Sequence, residues 1–329
     1  MKLSIYDTTL RDGMQNEGIS FSFEDKLNIA KKLDEIGVDY IEFGKPGSDP
    51  QDAEYFQCLN NFNLNHAKIA ALGSTCGVGS NPESDPKLQA LLKANAKVCA
   101  LVGKTWPLHI IEVLQTDLQE NLRIISESVR YLVAQNKEVI YDAEHFFDGY
   151  KADRDYAIRT LNEAFVSGAN CLVLCDTNGG TLPHEVSAIV KDVAESFPGV
   201  AIGIHCHNDC DCAVANSLAA VQAGVVHVQG TINGYGERTG NANLCSVIPT
   251  LELKLEYTCL PAGNLARLYD LSHTVADIAK RPLDENQPYV GANAFMHKAK
   301  THVAAMQRST VSYQHIDPAL VGNRTRIVK

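Results

Sequence analysis

The chain has 329 residues, is 45% apolar, carries ten cysteines and has a formal net charge of −10. That length and composition suit one large globular domain with a small appendage, and they exclude a disordered or fibrous chain. The acidic balance excludes a general attraction to nucleic acid or to an anionic membrane.

Read from the N-terminus, the opening Met1-Lys-Leu-Ser-Ile-Tyr-Asp7 is broken by polar residues too soon for a secretory signal. No run of about 18 apolar residues follows, so no membrane span is expected. The cysteines are scattered, several within strand-like runs, as at Cys99, Cys171 and Cys175. Free thiols in a reducing cytoplasm are therefore expected. Cys206, Cys210 and Cys212 lack a second pair at zinc-finger spacing, so they too are expected to be free.

Eight short, β-rich apolar runs follow one another at 3–7, 40–44, 68–73, 98–103, 139–142, 171–176, 201–205 and 226–231. Most are apolar without alternation, as strands covered on both faces should be. Helical patterns lie between them. In 23–37, Ile29, Leu33 and Ile36 recur at helical spacing, and Ser22 with Asp25 resembles a capping box. The stretches 117–134, 153–167, 182–196, 213–223 and 244–255 behave similarly. Gly37, Gly168 and Gly224 punctuate helix ends, where positive φ is useful.

Strands alternating with helices imply a closed (β/α)8 barrel or a doubly wound sheet. Thr8-Thr-Leu-Arg-Asp-Gly13 after the first strand is not the glycine fingerprint of a dinucleotide fold, and no Walker A loop occurs. A (β/α)8 TIM barrel over 1–260 is expected, with a small helical C-terminal extension over 261–329 where the alternation stops.

Catalytic groups of such barrels sit at strand C-terminal ends and in the loops after them. There the sequence places Asp7, Arg11, Asp12, Glu42, Asp142, Glu144, Asp176, Thr177, His205, His207, Asn233, Glu237, Arg238 and Asn241. On a strand end, His205 and His207 point to one side and can grip one cation. With a carboxylate and an amide oxygen from neighbouring ends they would form an open N/O site, suited to Zn, Mn, Mg or Fe. Such a site leaves room for a chelating 2-oxo acid. Arg11 beside Asp12 reads either as a structural ion pair or as a guanidinium polarising a ketone. Glu144 reads as a general base or as a loop anchor. The glycine-rich 234–241 reads as a tight turn or as a neighbour of a cofactor phosphate.

The segments Asp7-Thr-Thr-Leu-Arg-Asp-Gly13, His205-Cys-His-Asn-Asp209 and Gly236-Glu-Arg-Thr-Gly-Asn241 resemble the family of metal-dependent Claisen-condensing enzymes. That family includes isopropylmalate, homocitrate and citramalate synthases, with hydroxymethylglutaryl-CoA lyase more distant. Its bacterial citramalate synthase branch is resembled most in 141–150, 174–183, 229–238 and 313–322. The resemblance implies one divalent metal ion (Mn, Mg or Zn) held by Asp12, His205 and His207, with Asn241 near or in its shell. It implies that Arg11 polarises the ketone, Thr177 holds the carboxylate and Glu144 is a catalytic glutamate. It further implies that His302 and Tyr313 reach the partner subunit's site in a homodimer.

The reaction so implied joins acetyl-CoA to pyruvate, giving citramalate and CoA, in isoleucine biosynthesis. Kept beside it are the same condensation with 2-oxoisovalerate or 2-oxoglutarate, a lyase running the reverse cleavage, and a silent barrel retained for binding. The sequence departs from the family at Ala299 and Lys300, where a glycine-rich turn is usual, at Ser74–Gly77, which lacks basic residues, and at Phe43 and Lys45. It also lacks the C-terminal regulatory domain of full-length citramalate synthases, so feedback inhibition by isoleucine is expected to be absent.

Overall fold

The structure, a computed structural model, describes residues 1–59 and 62–328. Eight parallel strands close into a barrel in sequence order: β1 (Ser4–Asp7), β2 (Tyr40–Gly44), β3 (Lys68–Ser74), β4 (Val98–Lys104), β5 (Glu138–Glu144), β6 (Cys171–Asp176), β7 (Ile202–Cys206) and β8 (His227–Gly230). Closure is made by β1 on β8, with Ser4 opposite His227 and Asp7 opposite Gly230. The expected (β/α)8 barrel is thus the observed one. Most expected strand ends lie within a residue or two of the observed ones. The largest difference is at β5, which runs on to Glu144 because Lys104 of β4 pairs with it in register.

The unbroken apolar runs have a simple physical cause. Successive side chains of a strand point to opposite faces, and both faces here are covered. On β6, Cys171, Val173 and Cys175 join Tyr6, Ala70, Leu72, Val98, Ala100 and Ile140 inside the barrel. Leu172 and Leu174 face the helices and join the larger outer core. Each such leucine removed from water contributes roughly 1.5–3 kcal/mol.

The helices are α1 (Phe23–Ile36), α2 (Pro50–Cys58), α3 (Pro86–Lys93), α4 (Leu118–Ala134), α5 (Phe146–Ala152), α6 (Arg154–Val166), α7 (Pro183–Ser196), α8 (Ala213–Gln222) and α9 (Leu244–Lys254). At α1 the Asp25 amide donates to Ser22 Oγ at 3.2 Å, and the Ser22 amide donates to the Asp25 carboxylate at 3.0 Å. The box therefore works with aspartate in the glutamate position and contributes about 1 kcal/mol. Gly37 ends α1 with φ of 95°, a conformation costly for any residue with a Cβ.

Helices α2, α3 and α5 go beyond the elements expected from the sequence. They are nine, eight and seven residues long, too short for a repeating apolar face to declare itself. The local signal at α2 and α3 is the pair Asp49-Pro50 and Asp85-Pro86, aspartate capping and proline at the first helical position.

Beyond α9 come α10 (Leu268–Ile278) and α11 (Lys300–Arg308), with short 3-10 turns. The extension is not wholly helical: β9 (Met296–His297) pairs in parallel with β10 (Arg326–Ile327). Asn233, just after β8, fastens α10 to the barrel. Its Nδ2 donates to the Ser272 carbonyl at 2.9 Å and its Oδ1 accepts from Ser272 Oγ at 2.6 Å. No helix among the described residues is long and apolar enough to cross a membrane.

Candidate active site

Strand parity decides which polar side chains enter the barrel. The inward series on β4, Val98, Ala100 and Val102, continues to Lys104. On β5, Ile140 is followed inward by Asp142 and Glu144. Past Cys175 on β6 the same face reaches Thr177. His205 and His207 alternate with the outward Ile204 and Cys206, which lie in the outer core. At the C-terminal mouth Lys104, Asp142, Glu144, Thr177, His205 and His207 line a cavity of about 470 Å³ together with Arg11, Asp12, Lys45, Leu72, Val102, Glu237 and Arg238.

At its base Asp12, His205 and His207 are all buried, and one ligand atom of each lies within 4.8 Å of the others. His205 Nε2 is 3.7 Å and His207 Nε2 is 4.0 Å from Asp12 Oδ2, and the two Nε2 atoms are 3.4 Å apart. Burial pushes the pKa of both imidazoles down, that of His207 to about 4 with His205 as second cause. Both rings are then neutral at pH 7 and offer lone pairs. Burial alone would raise the Asp12 pKa, but Arg11, His205 and His207 hold its carboxyl well below the ordinary carboxylate range.

Asn241 stands beside the cluster, bridged to His207. It is 2% exposed, and neither its Oδ1 nor its Nδ2 has a hydrogen-bond partner. A buried amide without partners costs about 1–3 kcal/mol unless something at the site satisfies it. A carboxylate, two neutral imidazoles and an orphaned amide oxygen suit a divalent cation. The residues present fit a metal ion.

Arg11 is both structural and available. Its Nε donates to Glu42, and its Nη1 donates to Asp12 at 2.9 Å. Glu42 is fully buried and also accepts from Tyr6 Oη at 2.7 Å and Thr8 Oγ1 at 2.5 Å. Nε and Nη1 are thus committed to Glu42 and Asp12, and Arg11 also lines the cavity. Thr177 Oγ1 accepts from the His145 amide at 2.8 Å, which leaves its hydroxyl proton to donate. The Thr177 carbonyl accepts from Arg238 at 2.8 Å, and Arg238 forms a two-pronged pair with Asp209 at 2.7 and 2.8 Å.

The loop 234–241 folds back on itself: the Asn241 amide donates to the Gly234 carbonyl at 3.1 Å. Gly240 has φ of 98°, and a Cβ there would lie 2.0 Å from the Gly234 oxygen. The tight-turn reading accounts for these glycines, and the turn seats Asn241.

Of the residues singled out in the sequence, Arg11, Asp12, Glu144, Thr177, His205 and His207 line this cavity, with Asn241 behind it. His302 and Tyr313 do not line it. Their rings stack on each other at 3.9 Å and 19° in the extension, with Tyr313 47% exposed. Sequence reasoning gave no role to Lys104, which pairs with Glu144, or to Gln229, whose Oε1 lies 2.9 Å from His205 Nδ1. All ten cysteines are free, as expected, and none joins a metal-competent cluster among the described residues.

A family model described as HMGL-like matches residues 2–275. The (R)-citramalate synthase of Aquifex aeolicus is 52% identical over 326 residues, covering 99% of this chain and 62% of that protein. The (R)-citramalate synthase of Geobacter sulfurreducens is likewise 52% identical over 326 residues, with the same shares. The chain thus spans about three fifths of the length of these curated relatives. Among solved structures, an HMG-CoA lyase of Bacillus subtilis matches with a TM-score of 0.72 at 22% identity, over 86% of this chain and 95% of that one. That likeness speaks to fold alone.

Proposed function

Because the chain belongs to the HMGL-like family, we propose that it is the catalytic part of an acyltransferase that condenses acetyl-CoA with pyruvate to citramalate and CoA. The carrying observation is the meeting, in one cavity, of the Asp12–His205–His207 cluster, Arg11 and the Glu144–Lys104 pair. The names of its relatives, (R)-citramalate synthase at 52% identity, support the synthetic direction and citramalate as the product.

In this reading Asp12, His205, His207 and Asn241 hold a divalent ion: Mn, Mg or Zn. When bound, it supplies Lewis acidity for the ketone oxygen of the 2-oxo acid. Arg11 donates to the same oxygen and stabilises the alkoxide that develops there. Thr177 Oγ1 donates to the acid's carboxylate and fixes its orientation. Leu72 and Val102 offer an apolar wall to a small methyl group. Glu144, held by Lys104, takes a proton from the acetyl methyl group, the enolate carbon so formed attacks the ketone carbon, and that proton is passed on to the resulting alkoxide oxygen, which becomes the hydroxyl of the product. Water then cleaves the thioester: its hydroxyl goes to the acyl carbon and its proton to the departing CoA sulfur.

The division into a barrel of 1–260 and an extension of 261–329 belongs to the same proposal. So does a homodimer, in which His302 and Tyr313 of one chain assist Glu144 of the other. Their exposed stack outside the chain's own cavity supports that placement. Ten free cysteines fit a reducing cytoplasm, and a place in isoleucine biosynthesis is proposed with citramalate as product.

The test is release of CoA from acetyl-CoA by the metal-loaded protein with pyruvate, 2-oxobutyrate, 2-oxoisovalerate or 2-oxoglutarate, with the product identified by mass. Citramalate from pyruvate is the expected result. Release with another acid alone moves the substrate. No release with any acid, but cleavage of a hydroxyacyl-CoA, replaces synthase by lyase.

A further inference from the structure

His205 and Gln229 are register partners across β7 and β8, and both point into the barrel. Gln229 is 1% exposed, and its carboxamide is gripped at both ends. Its Nε2 donates to Asp142 Oδ1 at 3.1 Å, and its Oε1 lies 2.9 Å from His205 Nδ1. A carboxamide has one donating end and one accepting end. The NH2 end faces Asp142 Oδ1, which accepts either as a carboxylate oxygen or as the carbonyl oxygen of the neutral acid. The carbonyl end can only accept, so the ring nitrogen facing it must carry a hydrogen. A neutral imidazole has one N–H. Nε2 of His205 is therefore left as a bare lone pair, and Nε2 is the atom that faces Asp12 and His207.

We propose that Asp142 and Gln229 are positioning residues, which hold His205 in the Nδ1–H tautomer and so keep its Nε2 open to a cation. With the amide reversed, the ring hydrogen would move to Nε2 and close that atom. The control is concentrated at His205, because the buried Nδ1 of His207 has no hydrogen-bond partner. Outer partners of this kind commonly set ring orientation and ligand basicity in metal sites. The relay spans three strands, so it forms only when the barrel closes.

The inference rests on the metal reading of the site, and its test reads the tautomer and the metal affinity instead of turnover. Two-bond 1H–15N correlations of metal-free protein labelled with 15N-histidine report the tautomer of each ring. The Nδ1–H pattern is expected for His205 in the wild type. In Gln229→Leu that preference is lost and Mn2+ affinity falls about 10- to 100-fold. The double variant Q229E/D142N rebuilds the relay with its chemistry exchanged. The introduced carboxylate would accept from His205 and from the amide of the new asparagine, so affinity returns to within a few-fold of wild type.

An Nε2–H tautomer in the wild type, or wild-type Mn2+ affinity in folded Gln229→Leu, overturns the relay alone. Should Gln229→Leu fail to fold, the wild-type spectrum and the double variant still decide. A wild-type protein that binds no Mn2+, Mg2+ or Zn2+ removes the metal reading and the relay with it.

Discussion

Lys104 and Glu144 are register partners on β4 and β5, and their side chains form an ion pair on the wall of the cavity. Glu144 is therefore held by a neighbour one strand away, with both side chains about a quarter exposed. Replacing Glu144 with Gln should lower kcat by about 10²- to 10⁴-fold, the usual contribution of a general base. Lys104→Met leaves the carboxylate in place but unheld. It should cost about tenfold, equivalent to roughly 1.4 kcal/mol, with KM for pyruvate little changed. Steady-state kinetics of both variants check this, and a Lys104→Met enzyme as impaired as Glu144→Gln would contradict the assignment.

Metal binding should be visible as stability. An ion at a hundredfold excess over its Kd stabilises the folded state by about 2.7 kcal/mol. Thermal unfolding with and without a chelator should show that shift in the wild type and none in His207→Ala. A chelator-sensitive shift of equal size in His207→Ala would place the ion elsewhere.

Asp142 gives a pH signature in the metal-free protein. Burial, and then Glu42, push its pKa from an ordinary 3.8 up to about 7. Between those values the unfolded chain has released a proton that the folded state still holds, so this group lowers stability as pH rises from about 4 to about 7. Asp142→Asn removes that loss and keeps an oxygen for Gln229. The variant should therefore gain on the wild type across that window, by a few kcal/mol in all, with no further gain above it. Denaturant midpoints at pH 4.5, 6 and 8 measure the difference, and a constant offset would falsify the account.

The turn at Gly240 should be intolerant. A Cβ there meets the Gly234 oxygen in a left-handed backbone, so Gly240→Ala should destabilise by about 1–3 kcal/mol. It should also weaken Mn2+ binding, because Asn241 follows directly. Unchanged affinity in the folded variant would detach Asn241 from the metal shell.

The barrel was legible because most strands are apolar on both faces, and because residues such as Gly37 and Ser22 mark helix ends. Helices α2, α3 and α5 were not, being too short to show a period. The metal cluster was legible because His205 and His207 share a strand end and Asp12 follows β1 closely. Lys104 and Gln229 were hidden for a different reason. A lysine at a strand end reads as solvated, and a glutamine in an apolar run reads as neutral filler. Their roles depend on cross-strand register, with Glu144 and His205 respectively, which the sequence does not print. His302 and Tyr313 are legible only through resemblance, since their stack lies outside the chain's own cavity.

The proposed reaction turns on a 2-oxo acid being seized at an ion held by Asp12, His205 and His207. The most direct measurement is the electron paramagnetic resonance spectrum of the Mn2+-loaded protein, titrated with pyruvate. One tight Mn2+ per chain, with a signal that pyruvate changes saturably in the wild type and that is lost in His207→Ala, is the predicted result. A bound Mn2+ whose signal is indifferent to pyruvate would contradict it.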